Sequence, residues 1–312
     1  MSTKSFLMAV DGGATKTTLV LYSTTGQKLF EKTSTGTNFH AIGTGKVERV
    51  ISELLLESHD AVQYDKLAIA VFAMAGIDTE HDLTTMKEII SNAFEKVAIH
   101  CDKIIVENDV LSALIGVTGG KPGALILSGT GSIAYAMDRQ GNIVRVGGYG
   151  HRAADEGSGY WIGQQIIRAV VQYEDGRIHT PTILKELLYK KLQVKNLEEM
   201  LAWLYHPNYS NAQVASISSI LIEAVQLGDE IALEIADKAA SELAILAMAT
   251  LEKLDTISPP FTMYLNGGIL QNHPIIRESF IQKMHDIHPM LSFELCCDQP
   301  ISYIVNRAFS SL

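Results

Sequence analysis

Short apolar runs alternate with glycine-containing polar turns at the start of the chain. Phe6–Val10 is apolar and ends at Asp11–Gly13, a β-rich run covers Thr17–Tyr22, and a polar turn leads into Lys28–Lys32. Runs of this length, bounded by turn residues, are typical of strands. The pattern predicts an antiparallel meander whose first hairpin is rich in glycine.

The next segments alternate helical periodicity with buried strands. Helices are predicted over Gly45–Ser58 and Thr84–Val97, and strands over Leu67–Ala73 and Ile104–Val106. Asp109 follows the second of these strands and is expected near the N-cap of a further helix. The first part of the chain is therefore predicted to be a mixed α/β unit.

The opening pattern then returns. The chain forms an apolar run at Ala124–Leu127, a tight turn at Ser128–Ser132 and a strand at Ile133–Met137. A polar turn and a third strand, Ile143–Val146, follow. The plan of strand, Gly/Thr turn, strand, polar turn and strand is the same as before, although the residues differ. The repetition predicts two lobes, each with its own sheet and its own phosphate-facing hairpin.

The remainder is mainly helical from Tyr160 to about Leu254, with a break near His206–Asn208. The last predicted elements are a strand at Phe261–Leu265, a helix at Pro274–Ile287, a strand at Leu291–Leu295 and a final helix from about Tyr303. No low-complexity linker separates the lobes. We expect an N-terminal lobe at 1–116, joined by the final helix at about 303–312, and a C-terminal lobe with a helical insertion at 117–302.

Composition narrows the class of protein. The chain has 312 residues, 47% of them hydrophobic, and a formal net charge of −10 without a Lys/Arg block, which argues against nucleic acid as a partner. The three cysteines, Cys101, Cys296 and Cys297, are an odd number and favour a reducing compartment. No signal peptide or membrane-length apolar run is evident. We expect a cytoplasmic protein without a membrane partner, and the oligomeric state is left open, with a homodimer as one option.

The two hairpin motifs carry the first candidate chemistry. Glycines Gly12 and Gly13 would let backbone N–H groups approach phosphate oxygens, and Thr15 and Lys16 would add a hydroxyl and a cation. Asp11 would hold Mg²⁺, directly or through water. The alternative is an ordinary hairpin whose glycines supply positive φ angles.

The second turn, Gly129-Thr130-Gly131, offers the same chemistry. It is neither a Walker A motif nor a dinucleotide GxGxxG motif. Two such hairpins at equivalent places in two halves indicate nucleotide binding more strongly than either alone.

Three further segments contain polar or glycine-rich groups. Asp109, at a strand end, would accept a proton from a substrate hydroxyl during phosphoryl transfer, or would simply cap a helix. Gly147–His151 and Asp155–Trp161 combine glycines, an aromatic ring and carboxylates suited to a sugar, or they form a loop that caps the next helix. Asn266–Leu270 would let a base or ribose lie against the backbone.

In this order and spacing, the motifs resemble the superfamily of actin, sugar kinases and heat-shock chaperone ATPases over nearly the whole chain. Asp11–Thr17 and Ser128–Ser132 are similar to its two phosphate hairpins, and Asn266–Gly268 is similar to its adenosine turn. The resemblance implies an α/β fold of two actin-like, ribonuclease H-like lobes around a nucleotide and substrate cleft.

Within that superfamily the chain most resembles the N-acetylglucosamine kinases, which are grouped with the activator ATPases of benzoyl-CoA reductase. The most specific similarity lies in Gly147–His151 and Asp155–Ile162. Thr37-Asn38 and Asp109 also match the family. This implies a kinase that uses ATP and Mg²⁺ to phosphorylate an N-acetylated amino sugar, with N-acetylglucosamine first, at its 6-hydroxyl.

The resemblance and the motifs assign the site residues, with Asp109 as the general base and Asp11 as the metal ligand. The sugar-binding residues are Asn38, Phe39, Gly76, Asp109, Gly148, Tyr149, Gly150 and Asp155. The nucleotide-binding residues are Gly12, Gly13, Thr15, Lys16, Gly129, Thr130, Gly131, Ser216, Gly267 and Gly268.

Some positions depart from the family pattern. Ala75 stands where a serine of the family can contact sugar, Tyr149 where a tryptophan is often found, and Ser216 where a glycine often lies. These departures leave the sugar open, with N-acetylmuramic acid and glucosamine as alternatives.

Two other functions compete with a kinase. An ATP-driven activator of a dehydratase or reductase would need thiolates presented together for an iron–sulfur cluster, and Cys101, Cys296 and Cys297 are poorly spaced for that. A non-catalytic regulator of the repressor type would carry an added DNA-binding module, for which we expect no room before Asp11.

Overall fold

The computed structural model describes residues 5–64, 66–254 and 260–312. It separates into two compact units. Unit 1 contains the chain up to Lys121 together with Asp298–Leu312, and unit 2 is the continuous segment Pro122–Cys297. The sequence-based division placed the corresponding boundaries at 116/117 and 302/303, close to these positions.

Unit 1 is built on a mixed sheet. Its strands are β1 (Phe6–Gly12), β2 (Lys16–Ser23), β3 (Lys28–Thr35), β4 (Lys66–Met74), β5 (His100–Cys101) and β6 (Ile104–Asn108). The first three form the antiparallel meander that the sequence predicts, and β4 pairs in parallel with β1, β5 and β6. β1 and β4 are almost continuously apolar because side chains on both faces of these central strands are buried.

Helices cover the sheet of unit 1. They are α1 (Phe39–Ile42), α2 (Thr44–Val62), α3 (Glu80–Val97) and α4 (Asp109–Thr118). Leu55 of α2 and Ile90 of α3 belong to an apolar core with Met8 of β1, whereas Leu7, on the opposite face of that strand, belongs to a second core. The alternation along β1 thus divides the apolar residues between two layers of helices.

Unit 2 repeats the strand plan and adds a helical insertion. Its strands are β7 (Gly123–Ser128), β8 (Ser132–Met137), β9 (Ile143–Gly147), β10 (Phe261–Asn266) and β11 (Leu291–Leu295), in the order β11-β10-β7-β8-β9. Its helices are α5 (Gly159–Glu174), α6 (Leu184–Leu192), α7 (Leu197–Leu204), α8 (Asn211–Ile217), α9 (Ile220–Gln226), α10 (Glu230–Glu252), α11 (Gly268–Asn272) and α12 (Pro274–Ile287). β7, β8 and β9 form an antiparallel meander like that of β1, β2 and β3, as predicted.

The last helix, α13 (Pro300–Phe309), returns the chain to unit 1. The Arg307 guanidinium bonds to the Glu107 carboxylate of β6 at 2.8 Å, and both side chains are largely buried. A Cβ on Gly116 of α4 would lie 1.9 Å from the Tyr303 carbonyl oxygen, so only glycine allows the two helices to approach this closely. α13 is therefore an integral layer of unit 1.

Two predicted helix starts are wrong by about one turn. α3 begins at Glu80 rather than Thr84 because Thr79 and Asp82 form a reciprocal capping box ahead of it. α13 begins at Pro300, since proline is favourable in the first turn of a helix. The short elements α1, β5 and α11 are not predicted because they are too brief to show a period.

Within the described residues, no helix is both long enough and apolar enough to cross a bilayer.

Candidate functional site

The carboxyl ends of three parallel strands of unit 1 meet at one edge of its sheet. Asp11 of β1 is in register with Ala73 of β4, which is in register with Glu107 of β6. Asp109 follows two residues after Glu107, so Asp11 and Asp109 belong to the same edge. In open α/β sheets this is the edge where ligands bind.

These two carboxyl groups are partly withdrawn from water. Burial raises the pKa of Asp109 to about 6; the negative charges of Asp11 and Asp78 add to the effect, and a hydrogen bond from the Val110 amide opposes it. Burial also raises the pKa of Asp11, against the opposing charge of Lys16. A carboxylate whose pKa approaches neutrality is suited to accept a proton from a hydroxyl.

Asp109 is the first residue of α4, and its neighbour Asn108 is the cap. The Asn108 Oδ1 accepts hydrogen bonds from the N–H groups of Val110 and Leu111, at 3.0 and 3.4 Å. Asn108 therefore supplies the cap that was considered for Asp109. The Asp109 carboxylate is not needed to begin the helix, which favours a chemical role for it.

The first hairpin joins β1 to β2. The Gly13 N–H donates to the Lys16 carbonyl at 2.9 Å and closes a turn over Ala14 and Thr15. A Cβ on Gly36 would lie 2.1 Å from the Ala14 carbonyl oxygen. The segment that follows β3 therefore packs directly against the turn. Thr15 and Lys16 are exposed, which leaves a hydroxyl and an ammonium group available to a ligand.

Two buried threonines brace this hairpin. The Thr37 and Thr17 hydroxyls are 2.9 Å apart, and both side chains are fully buried. A Cβ on Gly12 would lie 2.6 Å from the Thr37 Oγ1. Glycine at position 12 is therefore required for packing, whatever its role toward phosphate.

Asn38 and Gly76, two predicted sugar-binding residues, are neighbours in unit 1. A Cβ on Gly76 would lie 2.9 Å from the Asn38 Oδ1, and Gly76 has a φ of +86°. That oxygen also accepts the His40 N–H at 3.0 Å. Phe39 packs against the apolar core, with its ring centroid 4.1 Å from that of His40. The structure thus brings Asn38 and Gly76 together and turns Phe39 toward the core.

The second hairpin is bonded to the start of α5. The Gly129 N–H donates to the Gly131 carbonyl at 2.9 Å across the turn. The N–H groups of Gly159 and Tyr160 donate to the carbonyls of Gly129 and Thr130, at 2.8 and 3.2 Å. The positive end of the α5 dipole therefore lies beside the turn, which favours a bound anion there.

Asp155 lies directly behind the second hairpin. Its Oδ1 accepts the Ser132 N–H at 3.1 Å and would lie 2.8 Å from a Cβ on Gly131. Asp155 is buried and has a φ of +74°. It shares a cavity of about 230 Å³ with Tyr149. The structure shows a bracing contact for Asp155, and its sugar contact stays a prediction.

The glycine-rich segment after β9 is fixed by backbone hydrogen bonds. The Gly148 N–H donates to the Ser132 carbonyl at 2.9 Å, and the Arg145 guanidinium donates to the Gly148 carbonyl at 2.7 Å. Arg145 also lies 5.1 Å from the centre of the Tyr149 ring. Gly148 and Gly150 have φ angles of +73° and +83°. Tyr149 is 62% exposed, so its ring and hydroxyl are accessible to a ligand.

The turn predicted to face adenosine touches the second hairpin. A Cβ on Gly267 would lie 2.3 Å from the Ser128 carbonyl oxygen, and the φ of Gly267 is +90°. Its N–H donates to the Asn266 Oδ1 at 2.7 Å. Because β10 and β7 are parallel neighbours, both turns follow the same edge of the sheet.

One cavity of unit 2 gathers four of the predicted nucleotide-binding residues. It has a volume of about 520 Å³ and is lined in part by Gly129, Thr130, Ser216 and Gly268. That volume is within the usual range for small-molecule sites. The cavity is therefore the candidate nucleotide site of this unit.

Other lining residues of this cavity were not predicted from the sequence. They include Lys191 of α6, Asn272 at the end of α11, and His273. Burial lowers the pKa of His273 to about 4, so the imidazole is neutral at pH 7. Its Nδ1 has no hydrogen-bond partner within the part of the chain that is described. No motif marks these positions, because folding alone brings them to the cavity.

Two similar sheets, each carrying a glycine hairpin at the same place, define the class of two-lobed, actin-like nucleotide-binding proteins. The chain belongs to the BadF/BadG/BcrA/BcrD ATPase family, whose model matches residues 9–294.

Relatives and solved structures agree with this membership. The chain is 30% identical to an N-acetyl-D-glucosamine kinase of Dictyostelium discoideum, with 92% of each chain covered. It is 29% identical to an N-acetylmuramic acid/N-acetylglucosamine kinase of Clostridium acetobutylicum, covering 88% of this chain and 89% of the relative. A solved structure of a candidate N-acetylglucosamine kinase from Chromobacterium violaceum superposes with a TM-score of 0.72 at 21% identity, covering 98% and 99% of the two chains. That likeness bears on the fold alone.

Proposed function

We propose that this protein is an ATP-dependent kinase that phosphorylates the 6-hydroxyl of an N-acetylated amino sugar, with N-acetylglucosamine as the first candidate. The observation that carries the proposal is Asp109, a half-buried carboxylate at the ligand-binding edge of the unit 1 sheet, with a pKa raised to about 6. Asp109 would take the proton of the acceptor hydroxyl as the bond to phosphorus forms.

The two hairpins would hold the phosphates of ATP. Phosphoryl transfer depends mainly on positioning and charge stabilisation, which backbone N–H groups, hydroxyls and a lysine supply. The exposed side chains that could contact phosphate are those of Thr15 and Lys16 in the first hairpin and Thr130 in the second.

Asp11 is the group that would hold Mg²⁺. Among the described residues, no set of three or more His, Cys, Asp or Glu side chains is arranged to bind a metal ion. Mg²⁺ in phosphoryl-transfer enzymes usually needs only one or two carboxylates, because phosphates and water complete its shell. The partly buried Asp11 carboxylate beside Asp109 fits that demand, since a cation would offset their repulsion. When bound, Mg²⁺ would neutralise phosphate charge.

The sugar itself is proposed from the relatives and from the sugar-binding residues predicted in each unit. N-acetylglucosamine is named for both relatives, and N-acetylmuramic acid for one of them. Asn38 and Gly76 in unit 1 and Tyr149 and Asp155 in unit 2 are the proposed contacts. N-acetylmuramic acid and glucosamine remain the alternatives.

A sugar panel tests this proposal. ATP consumption is measured with glucosamine, N-acetylglucosamine, N-acetylmannosamine, N-acetylmuramic acid and glucose, and the product is examined by phosphorus and proton NMR. We expect the highest kcat/KM with N-acetylglucosamine and a phosphate ester on the 6-oxygen. Turnover of none of these sugars would overturn the proposal, and an ester at another oxygen would overturn the assigned position.

The thiols disfavour the rival role of an ATP-driven activator. Burial raises the pKa of the Cys101 thiol to about 11, which disfavours the thiolate that a cluster needs. Cys101 lies in unit 1, whereas Cys296 and Cys297 lie in unit 2. A brown, iron-containing protein after anaerobic purification would revive the activator role.

Removing either hairpin hydroxyl is expected to weaken the use of ATP. In Thr15→Val and Thr130→Val the side chain keeps its shape but loses a hydrogen bond to charged phosphate, worth about 1 kcal/mol or more. We expect KM for ATP to rise about fivefold or more in each variant, measured at saturating sugar. Thr84→Val, on the exposed face of α3, is the control. Wild-type KM values in both hairpin variants would contradict the assignment.

A further inference from the structure

The nucleotide cavity of unit 2 has an end that no motif explains. Its near end is formed by Gly129, Thr130 and Gly268, at the second hairpin and the start of α11. We call the group of Lys191, Ser219, Asn272 and His273 in its lining the far end. The two ends differ in chemistry, since the near end presents mainly backbone and the far end presents polar side chains.

The short helix α11 contributes residues to both ends. Gly267, just before the helix, touches the backbone of Ser128 in the hairpin. Asn272 is the last residue of the helix, and its side chain lies back along α11 toward Gly268. On the other wall, the Lys191 ammonium donates to the Ser219 hydroxyl at 3.2 Å. A nucleotide whose phosphates lie at the hairpin and whose adenosine lies along Gly268 would bring its base beside the Asn272 carboxamide.

The far end suits a neutral heterocycle with a hydrogen-bonding edge. None of the described lining residues of the cavity is acidic, and Lys191 brings the one formal charge among them, because His273 is buried and neutral. The Asn272 side chain is exposed and makes no hydrogen bond to any described residue. Its Nδ2 lies 3.7 Å from the point where a Cβ on Gly268 would stand, so the carboxamide lies alongside the start of α11.

We propose that the Asn272 carboxamide selects adenine over guanine in this cavity; this rests on the proposed use of ATP. A carboxamide presents an acceptor and a donor side by side. Adenine presents a matching donor and acceptor in its 6-amino group and N7, whereas guanine presents two acceptors, O6 and N7. With guanine the carboxamide oxygen would face an acceptor, and one hydrogen bond would be replaced by repulsion.

Calorimetric binding of MgADP and MgGDP tests the proposal without requiring turnover. Wild type should bind ADP more tightly than GDP. In Asn272→Ala the ratio of the two dissociation constants should shift toward unity by about tenfold, chiefly through weaker ADP binding. Asn208→Ala, an exposed asparagine outside this cavity, should leave the ratio unchanged. Lys191→Met tests whether any change in the far end has the same effect, and Lys190→Met is its neighbouring control.

The outcomes separate this inference from the proposed function. An unchanged ratio in Asn272→Ala, or an equal shift in Lys191→Met, would overturn the role of Asn272. Failure of the wild type to bind either nucleotide would overturn both proposals. Tight ADP binding without sugar phosphorylation would overturn only the kinase, and the binding ratio would still decide the role of Asn272.

Discussion

Replacing Asp109 with asparagine is expected to lower kcat by at least about a hundredfold, with KM for ATP nearly unchanged. The carboxamide has the size of the carboxyl group but cannot accept the proton of the acceptor hydroxyl, and general-base assistance is typically worth about 10²–10⁴-fold. Folding should survive the change, because Asn108, and not Asp109, caps α4. The measurement is steady-state kinetics with the best sugar of the panel.

Asp78→Asn is the matched control for this variant. Asp78 is exposed and its charge contributes to the raised pKa of Asp109, but the proposed mechanism gives it no proton to carry. We expect its kcat within about threefold of wild type. If Asp109→Asn turned over within about tenfold of wild type, Asp109 would not be the base, and Asp155 would become the next residue to test.

The pH dependence of kcat/KM offers a second test of Asp109. The base must be unprotonated, and burial and the neighbouring negative charges raise its pKa to about 6. We therefore expect kcat/KM for MgATP, which reports the free enzyme, to be constant above about pH 7 and to fall about tenfold per pH unit below pH 6. The residual activity of Asp109→Asn should lack this fall. A wild-type profile that stays flat down to pH 4.5 would argue against Asp109 as the titrating base.

Adding a single methyl group at Gly267 is expected to destabilise unit 2 by about 3 kcal/mol and to impair nucleotide binding. The φ of +90° and ψ of 156° place Gly267 in a region that only glycine adopts readily. A Cβ there would also lie 2.3 Å from the Ser128 carbonyl oxygen, so the second hairpin would have to move. Urea unfolding and ADP calorimetry of Gly267→Ala measure the two effects.

Gly176→Ala separates strain from collision. Gly176 has a φ of +78°, but a Cβ there would meet nothing within 4 Å. The free energy of unfolding of Gly176→Ala should therefore fall only by the strain of an alanine at positive φ, about 1–2 kcal/mol. The variant should bind ADP as the wild type does. Equal stability and equal ADP affinity in the two variants would show that the contact between Gly267 and Ser128 does not support the hairpin.

The sequence identifies strands better than it identifies the ends of helices. β1 and β7 are predicted because each is a short apolar run that ends in glycine-containing turn residues, and such local signals survive folding. Helix starts depend on which side chain bonds to which amide. At the start of α4, Asn108 and Asp109 are both good capping residues, so only the structure shows that Asn108 is used.

In the candidate site, too, local motifs were predicted from the sequence and contacts made by folding were not. The hairpin residues form motifs that can be recognised along the chain, and the structure places four predicted nucleotide residues around one cavity. Lys191 and Asn272 are far apart in sequence and belong to no motif, so only tertiary packing reveals them. The bracing role of Asp155 was also hidden, because its partner Ser132 lies 23 residues away.

The path of α13 has a consequence for biosynthesis. Unit 2 is continuous in the chain, whereas the layer of unit 1 formed by α13 is synthesised after the whole of unit 2. On the ribosome, unit 2 can complete its core while unit 1 still exposes the apolar face that Ile304 and Ala308 later cover. Nascent chains stalled before α13 should therefore be the ones that recruit chaperones, and release of α13 should end that dependence.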